Sequence, residues 1–378
     1  MREIEAGVGQ ISLVDHHVHG ALREDVGRET LESSLTESDR PIPGWMTQFD
    51  SPLGFAVRRW CAPVLGLERH ASAENYVARR AELGAREVNR RLLSAAGVGH
   101  YLLDTGYRGD AILDLAGMTE AASAPVGEIV RLETVAEDLA VSGVTARDFV
   151  RRYPEVLAER TATSAGLKSI VAYRHGFGFD PCRPDGPETE AAAGEWLRAV
   201  ETTGTARVED PVLLRFLLWS GLDRGLPLQL HTGYGDPDLA LDRCDPLLLT
   251  PWLKLAEPSK VDVMLLHCYP YHRQAGYLAQ VFPHVYFDVG LAVNHTGVSS
   301  AAVLAESLEL APFAKILFST DAWGPAELHY LGALLWRRGM SRVLGTWAAD
   351  GDVSPADALR VARMIGAGNA RRVYRLPG

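Results

Sequence analysis

Eight short apolar runs recur along the chain, and most of them end in an ionisable residue just before a turn-forming loop. They cover residues 11–20, 99–106, 129–133, 167–174, 226–231, 261–267, 285–288 and 315–321. The stretches between them mostly show helical periodicity, and alternating strands and helices indicate a parallel sheet. Eight such units predict an α/β fold of the closed (β/α)8, or TIM-barrel, type. An open doubly wound sheet is the competing prediction, but no glycine-rich phosphate-binding fingerprint follows the first run.

The length of the chain is compatible with a barrel of this kind. Its 378 residues could form two domains, but α/β barrels often reach this length as one, so we expect a single domain over residues 1–378. Residues 21–71 form a long polar, proline-containing excursion after the first run. Because long loops in compact domains usually serve a function, we expect this insertion to lie above the first strand as a lid or substrate wall.

Composition excludes several classes of function. A formal net charge of −10 and a pI near 5.7 argue against a surface that binds nucleic acid or an anionic membrane. The four cysteines are scattered without a C-x-x-C pair, which indicates neither a disulfide framework nor a zinc knuckle. The first residues lack a signal-peptide apolar region, and no apolar run reaches membrane length. We therefore expect a cytoplasmic protein with reduced thiols.

Two histidines close the first apolar run in His-x-His spacing. Alternation along a strand places His17 and His19 on the same side, where two imidazoles can bind one divalent metal. A polar cluster near the N-terminus or an expression tag are the alternatives. A tag is disfavoured because the histidines are not contiguous and an apolar strand precedes them.

Later runs supply further candidate ligands at the same relative position. His231 ends the fifth run, His267 the sixth and Asp321 the eighth. In a barrel these strand ends converge on one mouth, and several histidines with one carboxylate suit zinc, manganese or iron(II) with a position left for water. Any one of these histidines alone is more often structural, but their recurrence at strand ends predicts a metal site.

The motifs resemble those of the amidohydrolase superfamily, which has His-x-His on strand one, histidines on strands five and six, and aspartate on strand eight. Finer features are similar to the amidohydrolase-related (amidohydrolase 2) branch, which occurs fused to glutamine synthetase in the nodulin/FluG proteins. These features lie in residues 168–174, 230–236, 266–271 and 318–322, and the similarity runs from Ile11 to Leu376.

The resemblance implies a set of roles. His17, His19, His231 and Asp321 would bind the metal, for which zinc is preferred over manganese and one ion over two. Asp321 would transfer the proton of a metal-activated water, while His267 would either bind a second metal or polarise the substrate carbonyl. The implied reaction is hydrolysis of a C–N bond in a small molecule, namely an amide of the γ-glutamyl or a similar type.

Lys168 raises the question of a second metal. Superfamily members with two metals often bridge them with a carboxylated lysine at the end of strand four. Here apolar residues follow Lys168, so we expect it near the start of its strand, roughly 20 Å below Arg174, with a structural role. A strand that ended early, at Ser169, would make the bridge possible.

Four residues are candidates for substrate binding. Arg174 stands at the mouth and could bind a substrate carboxylate in bidentate fashion, although a salt bridge explains it equally well. Arg273 is a second candidate for the carboxylate, and Tyr173 and Trp323 are candidates for lining the pocket. The expected partner is a small molecule that carries a carboxylate, and a homodimer is the default assembly.

Two other functions remain open at this point. A metal-dependent non-oxidative decarboxylase uses the same barrel and ligand set, and analysis of the products would distinguish it from a hydrolase. A non-catalytic scaffold or regulator that keeps an enzyme's barrel is the other alternative. The intact ligand set disfavours it, and measuring metal uptake would test it.

Overall fold

The wall of the barrel consists of parallel strands in chain order. The computed structural model describes residues 2–377 and contains a sheet of seven parallel strands ordered β1 to β7. The strands are β1 Leu13–Val18, β2 Val98–Asp104, β3 Val126–Arg131, β4 Gly166–Ser169, β5 Leu228–Thr232, β6 Val263–His267 and β7 Val285–Phe287. Each lies within or next to an apolar run predicted to be a strand.

An extended segment, residues 316–322, takes the eighth position between β7 and β1. The backbone N–H of Leu317 donates to the carbonyl of Phe287 at 3.0 Å, and the N–H of His16 donates to the carbonyl of Phe318 at 3.2 Å. The segment lacks a regular strand ladder, but its bonds to both neighbours close the wall. The predicted (β/α)8 barrel is therefore confirmed.

Helices connect the strands and cover the outside of the barrel. Their ends follow local chemistry: the Thr145 hydroxyl accepts from the N–H of Asp148, and Gly84 at φ +77° interrupts the helix predicted over residues 72–96. The α-helices are Arg2–Gly9, Arg28–Ser33, Pro52–Ala56, Ala62–Val64, Ala73–Leu83, Ala85–Ala96, Leu115–Ala122, Leu132–Val141, Ala146–Arg160, Val171–Arg174, Gly186–Thr203, Pro211–Asp223, Thr250–Ala256, His272–Val281, Gly290–His295, Ser300–Ser307, Ala326–Asp350, Pro355–Arg363 and Asn369–Val373. Within residues 2–377, no helix is both long and apolar enough to cross a membrane.

The fourth strand is shorter than the apolar run that predicted it. The hydroxyl of Ser169 donates to Glu133 Oε1 at 2.5 Å, and the N–H of Ile170 donates to the same oxygen at 3.0 Å. The chain therefore leaves the sheet after Ser169 and makes the helical turn Val171–Arg174. Lys168 lies one residue before the end of β4, so its predicted place near the start of the strand is wrong.

Side chains fill the interior of the barrel below the strand ends. Ala370, Val373 and Tyr374, at the end of the last helix, pack there against apolar residues of the wall. These wall residues are Val14, Leu102, Ile129, Met264, Leu266, Tyr286 and Leu317. Polar residues at the carboxyl ends of the strands consequently surround the other end of the barrel, which we call the mouth.

Candidate metal centre

Three predicted ligands meet at the mouth. One ligand atom each from His17, His19 and Asp321 lies within 4.8 Å of the others. His17 Nε2 is 2.9 Å and His19 Nε2 is 3.8 Å from Asp321 Oδ1. Both histidines are buried and the Asp321 side chain is 11% exposed, so the cluster is largely shielded from solvent.

Each of these histidines is oriented by an oxygen acceptor. The Nδ1–H of His17 donates to Gln229 Oε1 at 2.9 Å, and that of His19 donates to the Asp104 carbonyl at 2.9 Å. Because Nδ1 carries the proton in both rings, Nε2 presents its lone pair to the centre. Such acceptors are the usual outer partners of metal-binding histidines.

Two more histidines adjoin the cluster with unsatisfied nitrogens. The rings of His231 and His267 are 4.7 Å apart, and His267 Nε2 is 3.3 Å from Asp321 Oδ2. His231 Nε2 and both ring nitrogens of His267 have no hydrogen-bond partner among residues 2–377. Leaving such buried groups unpaired costs about 1–3 kcal/mol each, unless a ligand satisfies them. Imidazole nitrogens beside one carboxylate are a donor set that fits a divalent metal.

Burial sets the charge state of these groups. It lowers the pKa of His17, His231 and His267 well below the ordinary value, and that of His19 to about 4. The imidazoles are therefore neutral near pH 7, which is the form that binds metal. Burial also raises the pKa of Asp321 well above the ordinary carboxyl value, while the nearby Lys168 opposes the shift.

Lys168 belongs to this centre rather than to the barrel floor. Its Nζ donates to His17 Nε2 at 2.9 Å and lies 3.3 Å from Asp104 Oδ2. The early end of β4 at Ser169 puts it there. This is the condition under which a carboxylated lysine bridge was expected to become possible.

A layer of polar residues lies directly beneath the metal centre. We call His16, Gln229, Asp288 and Tyr374 the support layer. His16 Nε2–H donates to Asp288 Oδ2 at 2.9 Å, and Tyr374 donates its hydroxyl proton to His16 Nδ1 at 3.0 Å. Gln229 Nε2 donates to the Tyr374 hydroxyl oxygen at 2.8 Å. The layer thereby fixes Gln229, which in turn fixes His17.

The backbone at two strand ends is held in an unusual conformation. His267 has φ +68° and Asp321 has φ +50°, a region that residues other than glycine seldom adopt. Asp288 stabilises this arrangement, since its Oδ1 accepts from the N–H of His267 at 3.0 Å and from Ser319 Oγ at 2.8 Å. Such strain is common where side chains must be aimed at a functional site.

A cavity of about 270 Å³ opens next to the cluster. Its wall contains basic, acidic and aromatic side chains. The basic ones are Arg131, Lys168, Arg174 and Arg207, the acidic ones Glu37, Asp236, Asp238 and Asp321, and the aromatic ones Tyr107, Tyr173 and Trp323; His19 and His231 also line it. The volume lies just below the usual range for ligand pockets, about 300–1,000 Å³, which suits a small molecule.

Three of the four predicted substrate-binding residues line this cavity. The Arg174 side chain is 9% exposed, with Nη2 2.9 Å from Glu137 Oε1. The Tyr173 ring lies 4.5 Å from the His231 ring, and Trp323 Nε1 is buried with no partner in the described chain.

The fourth predicted residue, Arg273, lies elsewhere, so that prediction is wrong. Arg273 is the second residue of the helix His272–Val281, and its side chain is 58% exposed. It pairs with Glu309 at 2.9 Å and with Glu306 at 3.4 Å. Closeness to His267 in sequence did not bring it to the mouth.

Sequence reasoning missed other residues of the site. Asp104 and Arg131 end strands β2 and β3, the same signal that identified the histidines. Gln229 was visible as an isolated polar residue inside an apolar strand. Glu37 comes from the 21–71 insertion, and no sequence pattern connected it to the mouth.

Comparison with known proteins decides the family. A family model described as amidohydrolase matches residues 116–376. The chain belongs to the amidohydrolase family. The predicted amidohydrolase-related membership is confirmed, since Protein fluG of Emericella nidulans is 32% identical over 254 residues. That match covers 63% of this chain but 29% of the relative, so the chain spans less than a third of its length.

Solved structures have a similar fold. A Lactobacillus casei ATCC 334 protein named as a metal-dependent hydrolase superposes with a TM-score of 0.87 at 29% identity, covering 98% of this chain and 97% of that one. A glucuronate isomerase from Caulobacter crescentus superposes with a TM-score of 0.67 at 15% identity, covering 100% and 94%. The second likeness shows the fold alone.

Proposed function

We propose that this amidohydrolase is a metal-dependent hydrolase that cleaves a C–N bond, namely an amide, in a small molecule bearing a carboxylate. The observation that carries the proposal is the cluster of His17, His19 and Asp321 beside a cavity, with unpartnered nitrogens of His231 and His267 next to it. Family membership supports hydrolase chemistry, and γ-glutamyl amides are candidate substrates.

The residues that would hold the metal are His17 and His19 through Nε2, together with His231 and the Asp321 carboxylate. We propose a single ion, zinc in preference to manganese. When bound, a divalent metal lowers the pKa of a water molecule and polarises a carbonyl group. Both histidines keep their Nδ1–H on fixed acceptors, so their Nε2 lone pairs are already oriented for binding.

Asp321 is suited to moving the proton. Its Oδ1 faces His17 and its Oδ2 faces His267, so one carboxylate borders both parts of the centre. It can take a proton from the attacking water and return it to the departing nitrogen.

His267 and the cavity wall would act on the substrate. The neutral His267 ring can donate a hydrogen bond to the carbonyl oxygen as negative charge develops there. Arg174 would bind a carboxylate of the substrate, while Tyr173 and Trp323 pack beside the reacting group. In this scheme the protein positions the amide before any bond changes.

The insertion of residues 21–71 is proposed to act as a lid. Its Glu37 lines the cavity, and Glu37 Oε1 is 3.4 Å from His295 Nε2, a residue that follows β7. This contact joins the insertion to another part of the mouth. A lid held there would exclude water from the cavity during the reaction.

Metal reconstitution with product analysis tests the proposed function. Protein stripped with a chelator is reloaded with zinc or manganese and incubated with small amides and carboxylic acids, while released amine and carbon dioxide are measured. We expect metal-dependent release of amine without carbon dioxide. His17→Ala should bind little metal, whereas His70→Asn, which replaces an exposed histidine outside the cavity wall, should behave like the wild type.

Other results would reject the hydrolase. Carbon dioxide without amine would establish the second candidate, a non-oxidative decarboxylase, which the arginines of the cavity also favour because they suit a carboxylic acid. Failure to take up zinc or manganese would favour a non-catalytic role.

A further inference from the structure

Two buried arginines in the cavity wall keep unused hydrogen-bond donors. Arg131 is the last residue of β3, and Arg174 ends the helical turn after β4. Arg131 is 8% exposed and the Arg174 side chain 9% exposed, and both line the cavity. Arg131 Nε and Arg174 Nε and Nη1 have no partner among residues 2–377.

The acidic residues nearby do not satisfy these donors. Arg131 Nη2 donates to Asp104 Oδ2 at 2.6 Å, but Lys168 Nζ lies 3.3 Å from the same oxygen. Glu137 Oε1, the partner of Arg174, also accepts the backbone N–H of Val208 at 3.0 Å. An incoming anion would therefore meet guanidinium groups that still have donors to offer.

Arg207, the third arginine of the wall, is in a different state. It is bound to Glu209 at 2.5 Å and to Asp238 at 2.8 Å, and its side chain is 37% exposed. Two carboxylates and solvent satisfy the hydrogen-bond donors of Arg207, so this residue needs no further anion. The unsatisfied pair is thus Arg131 and Arg174.

The pair adjoins the metal centre. Asp104 Oδ2 contacts both Arg131 and Lys168, and Lys168 Nζ is only 2.9 Å from His17 Nε2. An anion bound at Arg131 would consequently lie near a carbonyl bound beside His17, since only Asp104 and Lys168 link the two residues.

We propose that Arg131 and Arg174 form a carboxylate subsite, and that the substrate is a monoamide of a short dicarboxylic acid. Its free carboxylate lies a few carbon atoms from the scissile carbonyl. The planar guanidinium fork matches a carboxylate in bidentate fashion, which a lysine cannot reproduce. That the substrate is an amide rests on the proposed function, whereas the carboxylate subsite rests on the two arginines alone.

Calorimetric titration of the whole chain tests the subsite without requiring turnover. Glutarate, succinate, neutral glutaramide and inorganic phosphate are titrated into metal-free and zinc-loaded protein. Both forms should bind a dicarboxylate at least about tenfold more tightly than glutaramide, because hydrogen bonds to an ionised carboxylate are stronger than those to a neutral amide. This comparison uses the wild-type protein, so it holds even where a variant fails to fold.

Charge-preserving variants locate the binding. Arg131→Lys and Arg174→Lys should each weaken dicarboxylate binding about tenfold or more, since they keep the charge but lose the fork. Arg273→Lys, the same change at an exposed arginine, should leave binding unchanged. Zinc content and circular dichroism of each variant must match the wild type.

The outcomes separate the two proposals. Equal binding of glutarate and glutaramide, or unchanged binding in both lysine variants, would overturn the subsite. Tighter binding of phosphate than of either dicarboxylate would also overturn it and indicate phosphate esters. Arginine-dependent glutarate binding without turnover of any amide would preserve the subsite and reject the hydrolase, whereas turnover without preference for a carboxylate would do the reverse.

Discussion

The mouth of the barrel and the support layer beneath it contain the same kinds of side chain and differ in how their polar atoms are satisfied. In the support layer, both ring nitrogens of His16 form hydrogen bonds, one with Tyr374 and the other with Asp288. At the mouth, neither ring nitrogen of His267 has a hydrogen-bond partner in the described chain, although Nε2 lies 3.3 Å from Asp321 Oδ2. Since unpaired buried groups are costly, a bound ligand would stabilise His267, whereas the protein itself already satisfies His16.

The largest effect should come from a change at the mouth. Asp321→Asn keeps the shape of the side chain but removes its charge and its capacity to carry a proton. We expect the turnover of the amide substrate to fall by about 10³-fold or more, because general acid–base catalysis alone contributes about 10²–10⁴-fold. Steady-state kinetics would measure this. Asp242→Asn, at an exposed position, is the matched control, and a loss below tenfold at Asp321 would contradict the assigned role.

A change in the support layer should act on metal affinity. Gln229→Leu removes the acceptor of His17 Nδ1–H and should weaken zinc binding by about 10–100-fold, as is typical for outer partners of metal ligands. Tyr374→Phe acts through Gln229 and His16, so its effect should be smaller and in the same direction. Competition with a chelator gives both dissociation constants. Unchanged affinity in both variants would show that the layer does not position His17.

His329 lies in a third kind of environment, different from both the mouth and the support layer. His329 is fully buried and neither of its ring nitrogens has a partner among the described residues, yet it lines neither the metal centre nor its cavity. Burial lowers the pKa of His329 from the ordinary 6.5 to about 3. Below pH 6.5 the unfolded chain gains a proton that the folded chain does not. The stabilisation that comes from keeping His329 neutral is therefore complete above pH 6.5, and it is lost as the pH falls toward 3.

This linkage predicts a pH-dependent loss of stability. Between pH 7.5 and pH 5, His329 should cost the wild type about 2 kcal/mol of unfolding free energy that His329→Phe does not lose. Urea denaturation of both proteins at pH 7.5 and at pH 5 would measure how much unfolding free energy each protein loses between the two values. Parallel pH profiles would show that His329 is protonated in the folded protein or has a partner in solution.

The smallest effect concerns Lys168 and the number of metal ions. With a single ion held by the histidines and Asp321, Lys168→Met should leave the metal content at about one per chain. Elemental analysis of wild type and variant gives this ratio directly. Two ions in the wild type and one in the variant would instead establish a lysine bridge.

Much of the fold and part of the site follow from sequence, because strand ends are local features. The eight apolar runs carry enough information for the barrel, and their terminal His17, His19 and Asp321 do come together. Long-range contacts decide the rest. The end of β4 depends on Glu133, which lies 36 residues before Ser169 in the chain.

Long-range contacts also explain why Arg131 was missed as a site residue and why Arg273 was wrongly predicted as one. Arg131 ends a strand and faces the cavity, but its fit for an anion depends on Asp104, which Lys168 also contacts. Arg273 follows a strand-end histidine by six residues and still lies on the outer surface, because the helix that begins at His272 directs it toward Glu309.

The hydrogen bond between His16 and Tyr374 also bears on the order in which the protein matures. It joins residues 358 positions apart, so all of the residues between them must leave the ribosome before it can form. Contacts of such sequence separation form late, since they require the closure of a very long loop. Until then, His17 lacks the fixed Gln229 that orients it. A nascent chain would thus acquire the proposed metal site only after the helix Asn369–Val373 has docked inside the barrel.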